Sequence, residues 1–262
     1  MRSIDVELVR AAALTAGHAL LALQGDAKKA KKSRRDFVTT ADYRSDTIIR
    51  SHLADFSEDL AIYSEEGGGE LATKGALAIV DALDGTVNYW YGNRTWAVSI
   101  AIVQNGKAAL GVIYAPQVER LYVADEHRAT KHRVENGEPS VLPLSFHPTN
   151  NANLKESRVG TDWRKGDPEE VFRILRILND NTVLPRILVC CTMPMMHVAE
   201  GKLDGYVHPG PMPEDHAAAG LIVQNAGGRV TEIDGSPWSP FSKTVVATNG
   251  LIHDQLLEVL NR

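Results

Sequence analysis

The stretch DALDGT, Asp81 to Thr86, follows the apolar run GALAIV, Gly75 to Val80. The run reads as a buried strand, so two carboxylates stand where a strand ends. They are three residues apart, with a Gly-Thr directly behind them. In open sheets, strand ends that meet a loop are the usual place for chemistry. The segments on either side of this stretch decide how the rest of the chain is read.

Upstream, the N-terminal segment has the spacing of an amphipathic helix. Ile4, Leu8, Ala11, Ala12, Thr15 and Ala19 share a face, Ser3 is its expected cap, and Gly25 ends it. A second helix is expected from about Thr40, with Ile48, Ile49, Leu53 and Phe56 turned inward. The strand LAIYS then runs into SEEGGGE, whose glycines suggest a mobile loop. Downstream, residues 95–126 read as three strands. One turn carries the Asn-Gly hairpin signal at Asn105-Gly106, and APQVER makes a second. This half reads as helices on a largely antiparallel sheet.

The polar, Pro- and Gly-containing stretch at residues 135–157 suggests a boundary, placed at 147/148. Residues 1–147 would form an α+β half and residues 148–262 an α/β half, in which strands and helices alternate.

Composition narrows the function classes. The chain has 262 residues, 44% hydrophobic and 23% charged, which is an ordinary balance for a soluble globular protein with a large core. The formal net charge of −5 gives no sign of a nucleic-acid binder. The basic run KKAKKSRR, Lys28 to Arg35, lacks interleaved aromatic residues and reads as a solvated loop. The two cysteines, Cys190 and Cys191, are neighbours. They offer no disulfide framework, so a reducing, cytoplasmic setting is expected. Asp5 and Glu7 interrupt the apolar N-terminus, which therefore fails as a secretory signal, and no stretch reads as long enough to span a membrane.

Acids recur where apolar strands end or helices begin: Asp42 in VTTAD, Glu65 and Glu66 in SEEGG, Asp81 and Asp84 in DALDGT, and Asp215 in EDHAAAG. Clustered carboxylates repel one another and need a cation. An oxygen-only set without His or Cys at zinc spacing points to Mg²⁺. The Gly-Thr after Asp84 suits close backbone approach to a phosphate. Singly, an Asp at a helix start is ordinarily a cap. The joint pattern is the signal.

These motifs resemble those of the inositol monophosphatase family of Mg²⁺-dependent, lithium-sensitive phosphatases. Its superfamily also includes histidinol-phosphate, fructose-1,6-bisphosphate and phosphoadenosine-phosphate phosphatases. DALDGTVN resembles the family's Asp-Pro-(Ile/Leu)-Asp-Gly-Thr motif, with Ala82 in place of proline. EDHAAAG resembles its Trp-Asp-x-Ala-Ala-Gly motif, with Glu214 in place of tryptophan. The resemblance covers nearly the whole chain and implies a layered αβαβα sandwich.

The resemblance also implies residue roles. Glu65, Asp81 and the Leu83 carbonyl would hold one Mg²⁺. Asp81, Asp84 and Asp215 would hold a second, and a third, looser ion would share Glu65. Asp42 and Thr86 would orient and deprotonate the attacking water, with Glu66 beside them. The Gly85 and Thr86 amides would cradle phosphate. The substrate would be a small phosphorylated polyol, sugar or amino alcohol.

On the substrate side the chain departs from the family. His208 stands where a hydroxyl-binding glutamate is usual, unless it is a plain loop histidine. VCCT, Val189 to Thr192, stands where Gly-(Ser/Thr)-Ala is usual, which makes Cys190 and Cys191 candidate pocket residues. Arg186 matches an arginine that crosses a dimer contact, and a homodimer is expected. Lys31 matches a lysine that approaches the active site. A non-catalytic Mg²⁺-binding scaffold is the alternative of a different class. A nucleic acid or membrane partner is not expected.

Overall fold

The computed structural model describes residues 5–31, 37–56, 59–140, 143, 145–163, 168–210 and 212–262. Two helices open the chain. The first is α1 (Val6–Leu23). The short strands β1 (Lys29–Lys31) and β2 (Phe37–Thr39) form an antiparallel ribbon before α2 (Thr40–Leu53). Ser3 lies outside the described residues. Asp5 caps α1 instead, its side chain accepting from the Leu8 N–H at 3.1 Å.

The main sheet follows: β3 (Leu60–Ser64), β4 (Ala76–Asp84), β5 (Ala97–Gln104), β6 (Lys107–Ala115), β7 (Arg120–Asp125), β8 (Ala129–Glu135) and β9 (Glu138–Pro139). Its seven strands lie in sequence order. Only β3 and β4 are parallel; every later pair is antiparallel. The short helix α3 (Thr86–Trp90) sits between β4 and β5. Asn105 and Gly106 both have positive φ, 49° and 84°, which is the hairpin turn that Asn-Gly favours.

The second sheet comprises β10 (Val159–Thr161), β11 (Arg186–Ile187), β12 (Gly205–His208), β13 (Arg229–Thr231) and β14 (Val245–Thr248), in the order β11-β10-β12-β14-β13. The helices α4 (Pro168–Asn181), α5 (Thr192–Ala199), α6 (Pro213–Asn225) and α7 (His253–Leu260) connect or follow its strands.

Hydrophobic packing arranges these elements in five layers. α1 and α2 cover one face of the main sheet through Val9, Ala16, Leu20, Ile49 and Leu53, all fully buried. Its other face packs on α5 and α6, which also touch the second sheet. α4 and α7 close the far side with Ile174, Leu178 and Leu256. The order is αβαβα, as the resemblance implies. α6 lies between two sheets, so every residue from Pro213 to Val223 is buried and no polar face remains. Its closeness to the main sheet depends on Gly111 in β6, where an added Cβ would lie 2.8 Å from the Ala218 carbonyl oxygen.

Two expectations are corrected here. Among the described residues α1 is long and apolar enough to cross a membrane, whereas the sequence was read as having no such stretch. Its buried face is the one packed on α2 and the main sheet. The SEEGGG segment is a tied turn: Ser64 and Gly68 exchange backbone hydrogen bonds at 3.1 and 3.0 Å, and the Arg50 guanidinium donates to the Ser64 hydroxyl at 2.7 Å.

Candidate active site

Residues three apart on a regular strand point to opposite faces of the sheet. Asp81 and Asp84 escape this rule because β4 bulges. Asp81 pairs with Ser99 and Asp84 with Ala97, so three steps along β4 are matched by two along β5. A bulge of this kind re-aims side chains. As a result the carboxylates of Asp81, Asp84 and Asp215 converge, each offering an oxygen within 4.8 Å of the others.

Asp215 comes from the first turn of α6, where backbone N–H groups favour negative charge. That turn is tied to its neighbours: Ser99 donates to the Glu214 carbonyl and Thr192 to the Asp215 carbonyl, both at 3.3 Å. Glu65 lies in the turn after β3, close enough to act on both Asp81 and Asp215, and Glu66 follows it there.

Asp81 and Asp215 have carboxyls pushed well above the usual range. Burial is the main cause for both. Repulsion from Glu65, Asp215 and Asp84 adds to it for Asp81, and repulsion from Asp84 and Glu214 for Asp215. One buried oxygen of Asp215 has no hydrogen-bond partner among the described residues. A hard divalent cation would relieve both conditions, and the all-oxygen donor set suits one.

The second group is a dyad. Thr39, Asp42 and the start of α2 form a capping box, in which the Thr39 N–H and hydroxyl reach Asp42 Oδ2 at 2.8 and 2.5 Å. The other oxygen, Oδ1, accepts from the Thr86 hydroxyl at 2.9 Å. Asp42 is therefore both a cap and half of a dyad with Thr86. Burial raises its carboxyl, against hydrogen bonds from Thr39 and Thr86 that lower it. Thr86 Oγ also lies 3.0 Å from the Leu83 carbonyl oxygen. Gly85 adopts φ 87°, and a Cβ there would lie 2.8 Å from the Thr95 carbonyl and 3.2 Å from Cys190 Cβ. Glycine is needed for both reasons.

The remaining candidates have definite positions. Cys190 and Cys191 are buried behind Asp84. The Cys190 thiol lies 3.0 Å from Asp84 Oδ2, the Thr192 N–H donates to the same oxygen at 2.6 Å, and the Cys191 N–H donates to Oδ1 at 3.2 Å. His208 is a buried strand residue, not a loop histidine. Its ring stacks on Tyr206, with Nδ1 3.1 Å from the Gly210 carbonyl. Arg186 opens β11 and is half-buried. Residues 32–35 of the basic run lie outside the described residues, as does the Lys31 side chain.

Two residues near the site were missed in the sequence. Asp162, at the end of β10, accepts from the Cys190 N–H at 2.9 Å. Burial pushes its carboxyl up to about 7, although the amides of Cys190 and Trp163 favour the charged form. Asn88 turns its amide toward the carbonyls of Thr95, Leu188 and Val189 at 2.7–3.0 Å. An acid ending a strand was a signal used elsewhere, and it applied to Asp162 as well.

A five-layer αβαβα frame, with buried carboxylates gathered beside an Asp–Thr dyad, defines a metal-dependent phosphatase, a phosphoric monoester hydrolase. The chain belongs to the inositol monophosphatase family, which it matches over residues 1–262. It is 32% identical over 247 residues to the fructose-1,6-bisphosphatase/inositol-1-monophosphatase of Thermotoga maritima, covering 94% of this chain and 91% of that one. It is 32% identical over 225 residues to the histidinol-phosphatase of Mycobacterium tuberculosis, covering 86% and 84%. The crystal structure of extragenic suppressor protein suhB from Bartonella henselae superposes with a TM-score of 0.87 at 26% identity, covering 99% of each chain.

Proposed function

We propose that this protein is a Mg²⁺-dependent phosphomonoesterase acting on a small phosphorylated polyol, sugar or amino alcohol. The observation that carries the reading is the continuity of residues 81–86. One stretch supplies two carboxylates of the buried cluster and the hydroxyl bonded to Asp42. Asp81, Asp84, Asp215, Glu65 and the Leu83 carbonyl would hold two to three ions, with Asp81 and Glu65 shared. Bound there, Mg²⁺ would supply charge stabilisation at the phosphoryl oxygens and a more acidic water.

The chain's own residues have distinct tasks. The Thr86 hydroxyl proton is directed to Asp42 Oδ1 or to the Leu83 carbonyl, which leaves Thr86 lone pairs to accept from a water. That acceptor orients the water for in-line attack. Asp42, with its raised carboxyl, is suited to draw the proton away through Thr86. The tight approach at Gly85 would let the Gly85 and Thr86 amides face the phosphate, and on the resemblance Glu66 would act beside the dyad. On the resemblance, Arg186, Cys190, Cys191 and His208 would belong to the side of the site that meets the alcohol.

The names of the two 32%-identical relatives bring in histidinol phosphate and fructose 1,6-bisphosphate as alternatives, beside inositol 1-phosphate, which the first of the two names as well. An imidazole at His208 can donate where a glutamate only accepts, so a substrate other than inositol 1-phosphate is expected to be preferred. A homodimer, a cytoplasmic location and lithium sensitivity complete the proposal; no nucleic acid or membrane partner belongs to it.

The test is a screen of phosphorylated polyols, sugars, histidinol phosphate and nucleotides with and without Mg²⁺, reading released phosphate, with Li⁺ added to the best substrate. Phosphate release that needs Mg²⁺ supports the reading. No release from any compound supports the scaffold alternative.

A further inference from the structure

Val189 has φ 54°. A β-branched residue in the left-handed region is a genuine outlier and is strained. It persists only where its surroundings hold it. Two side chains do so here. The Asn88 amide lies 2.7 Å from the Leu188 carbonyl and 3.0 Å from that of Val189, so it grips the turn on both sides of the strained residue. The Asp162 carboxylate accepts from the Cys190 N–H at 2.9 Å, directly after it. Asn88 and Asp162 are both buried, at 6% and 3% exposure.

The held turn carries three donors to one carboxylate. The Cys190 thiol and the Thr192 N–H reach Asp84 Oδ2, and the Cys191 N–H reaches Oδ1. We propose that Asn88 and Asp162 are positioning residues: by clamping the Leu188–Cys191 turn with Val189 left-handed, they fix the orientation of Asp84 and thereby set the metal affinity of the site without touching the metal. The inference rests on the functional reading above. If the clamp is released, Val189 relaxes toward negative φ, the three donors turn away, and Asp84 is free to rotate. Groups that orient metal ligands from behind in this way are typically worth about 10–100-fold in metal affinity.

The experiment uses the full-length protein stripped of metal. Mn²⁺ binding is measured by calorimetry or by loss of the free-ion EPR signal, and thermal unfolding is followed in parallel. Asp162→Ala and Asn88→Ala are expected to weaken Mn²⁺ binding about 10–100-fold. If Asp162→Ala does not fold, Asn88→Ala takes its place, alone and combined with Val189→Gly.

The decisive variant is Val189→Gly. Glycine adopts the left-handed conformation without strain, so the turn no longer needs a clamp. Val189→Gly combined with Asp162→Ala is expected to restore most of the lost Mn²⁺ affinity. Unchanged affinity in folded Asp162→Ala and Asn88→Ala overturns the proposal. So does a double variant that recovers thermal stability but not Mn²⁺ binding, because the clamp is then merely structural. A wild-type protein that binds no Mn²⁺ or Mg²⁺ overturns the phosphatase reading itself, a different outcome.

Discussion

The Thr86 hydroxyl meets Asp42 Oδ1 at 2.9 Å, joining residues 44 positions apart in the chain. The bond spans two elements, because Asp42 is fixed in the first turn of α2 by its capping box while Thr86 opens α3 directly after β4. The water positioning proposed for this dyad would therefore depend on how α2 sits against the main sheet. That seating is itself held by a buried bond from the Ser45 hydroxyl to the Ala82 carbonyl at 2.7 Å.

Thr86→Ala and Asp42→Asn are expected to lower kcat about 10²–10⁴-fold, the usual worth of general-base assistance. KM should move only a few-fold, because the interaction is made mainly in the transition state. Steady-state kinetics on the best substrate of the screen checks this, and wild-type kcat in both variants would refute the dyad.

Asp81→Asn is expected to abolish turnover at ordinary Mg²⁺ and to hurt far more than Glu66→Gln. Asp81 lies at the centre of the mutual repulsion among the acids, beside Glu65, Asp84 and Asp215. Titrating activity against Mg²⁺, and then against excess chelator, gives the comparison. Full wild-type activity in chelator would sink the metal role.

Gly85→Ala is expected to cost stability and most activity. The left-handed backbone alone disfavours alanine by roughly 1 kcal/mol. The added methyl would also meet the Thr95 carbonyl at 2.8 Å and push on Cys190, behind Asp84. Thermal unfolding and phosphate release should both fall; a neutral result would mean that the loop can move aside freely.

Acid should destabilise the fold through His253. This residue is fully buried, with its ring nitrogens 2.9 Å from the hydroxyls of Thr231 and Thr248. Burial, helped by Arg229, lowers its pKa to about 4. The unfolded chain takes up a proton near pH 6.5 while the folded one does not, so the contribution is intact above that pH and is lost as pH falls toward 4. After allowance for screening, about 1–2 kcal/mol should disappear between pH 7 and 4.5. In His253→Gln the melting temperature should fall less over that interval, although the variant starts lower. Equal slopes in both proteins would contradict the assignment.

The layered frame was legible through the resemblance of the motifs to a known family, and the acid cluster because each acid follows or opens an apolar strand or a helix. The apolar run of β4 and the Asn-Gly hairpin at Asn105 are local signals, and local signals survive without tertiary context. Asp162 carried the same signal, an acid directly after a strand, and was passed over because it belongs to none of the motifs and its strand has only three residues. The role of Asn88 was hidden for another reason: two of its three carbonyl partners lie about 100 residues away. Nothing in a valine announces positive φ, so the strain at Val189 belongs to tertiary structure alone. The glycines of SEEGGG suggested mobility, but the bonds that tie that turn come partly from Arg50 on α2.

The bulge between Asp81 and Asp84 has a consequence for how the protein matures. The two carboxylates share a side only when β5 is paired in its native register. A nascent or unfolded chain has the same residues but no reason to hold them together, so it offers the ion little more than two unrelated acids. Metal then binds the finished fold and cannot template β4, and by mass action it draws the equilibrium toward that fold. Because a one-residue slip of strand pairing sends side chains to the opposite face, a misregistered sheet would be blind to the ion. Metal uptake at this cluster would thus report that the sheet has been assembled correctly.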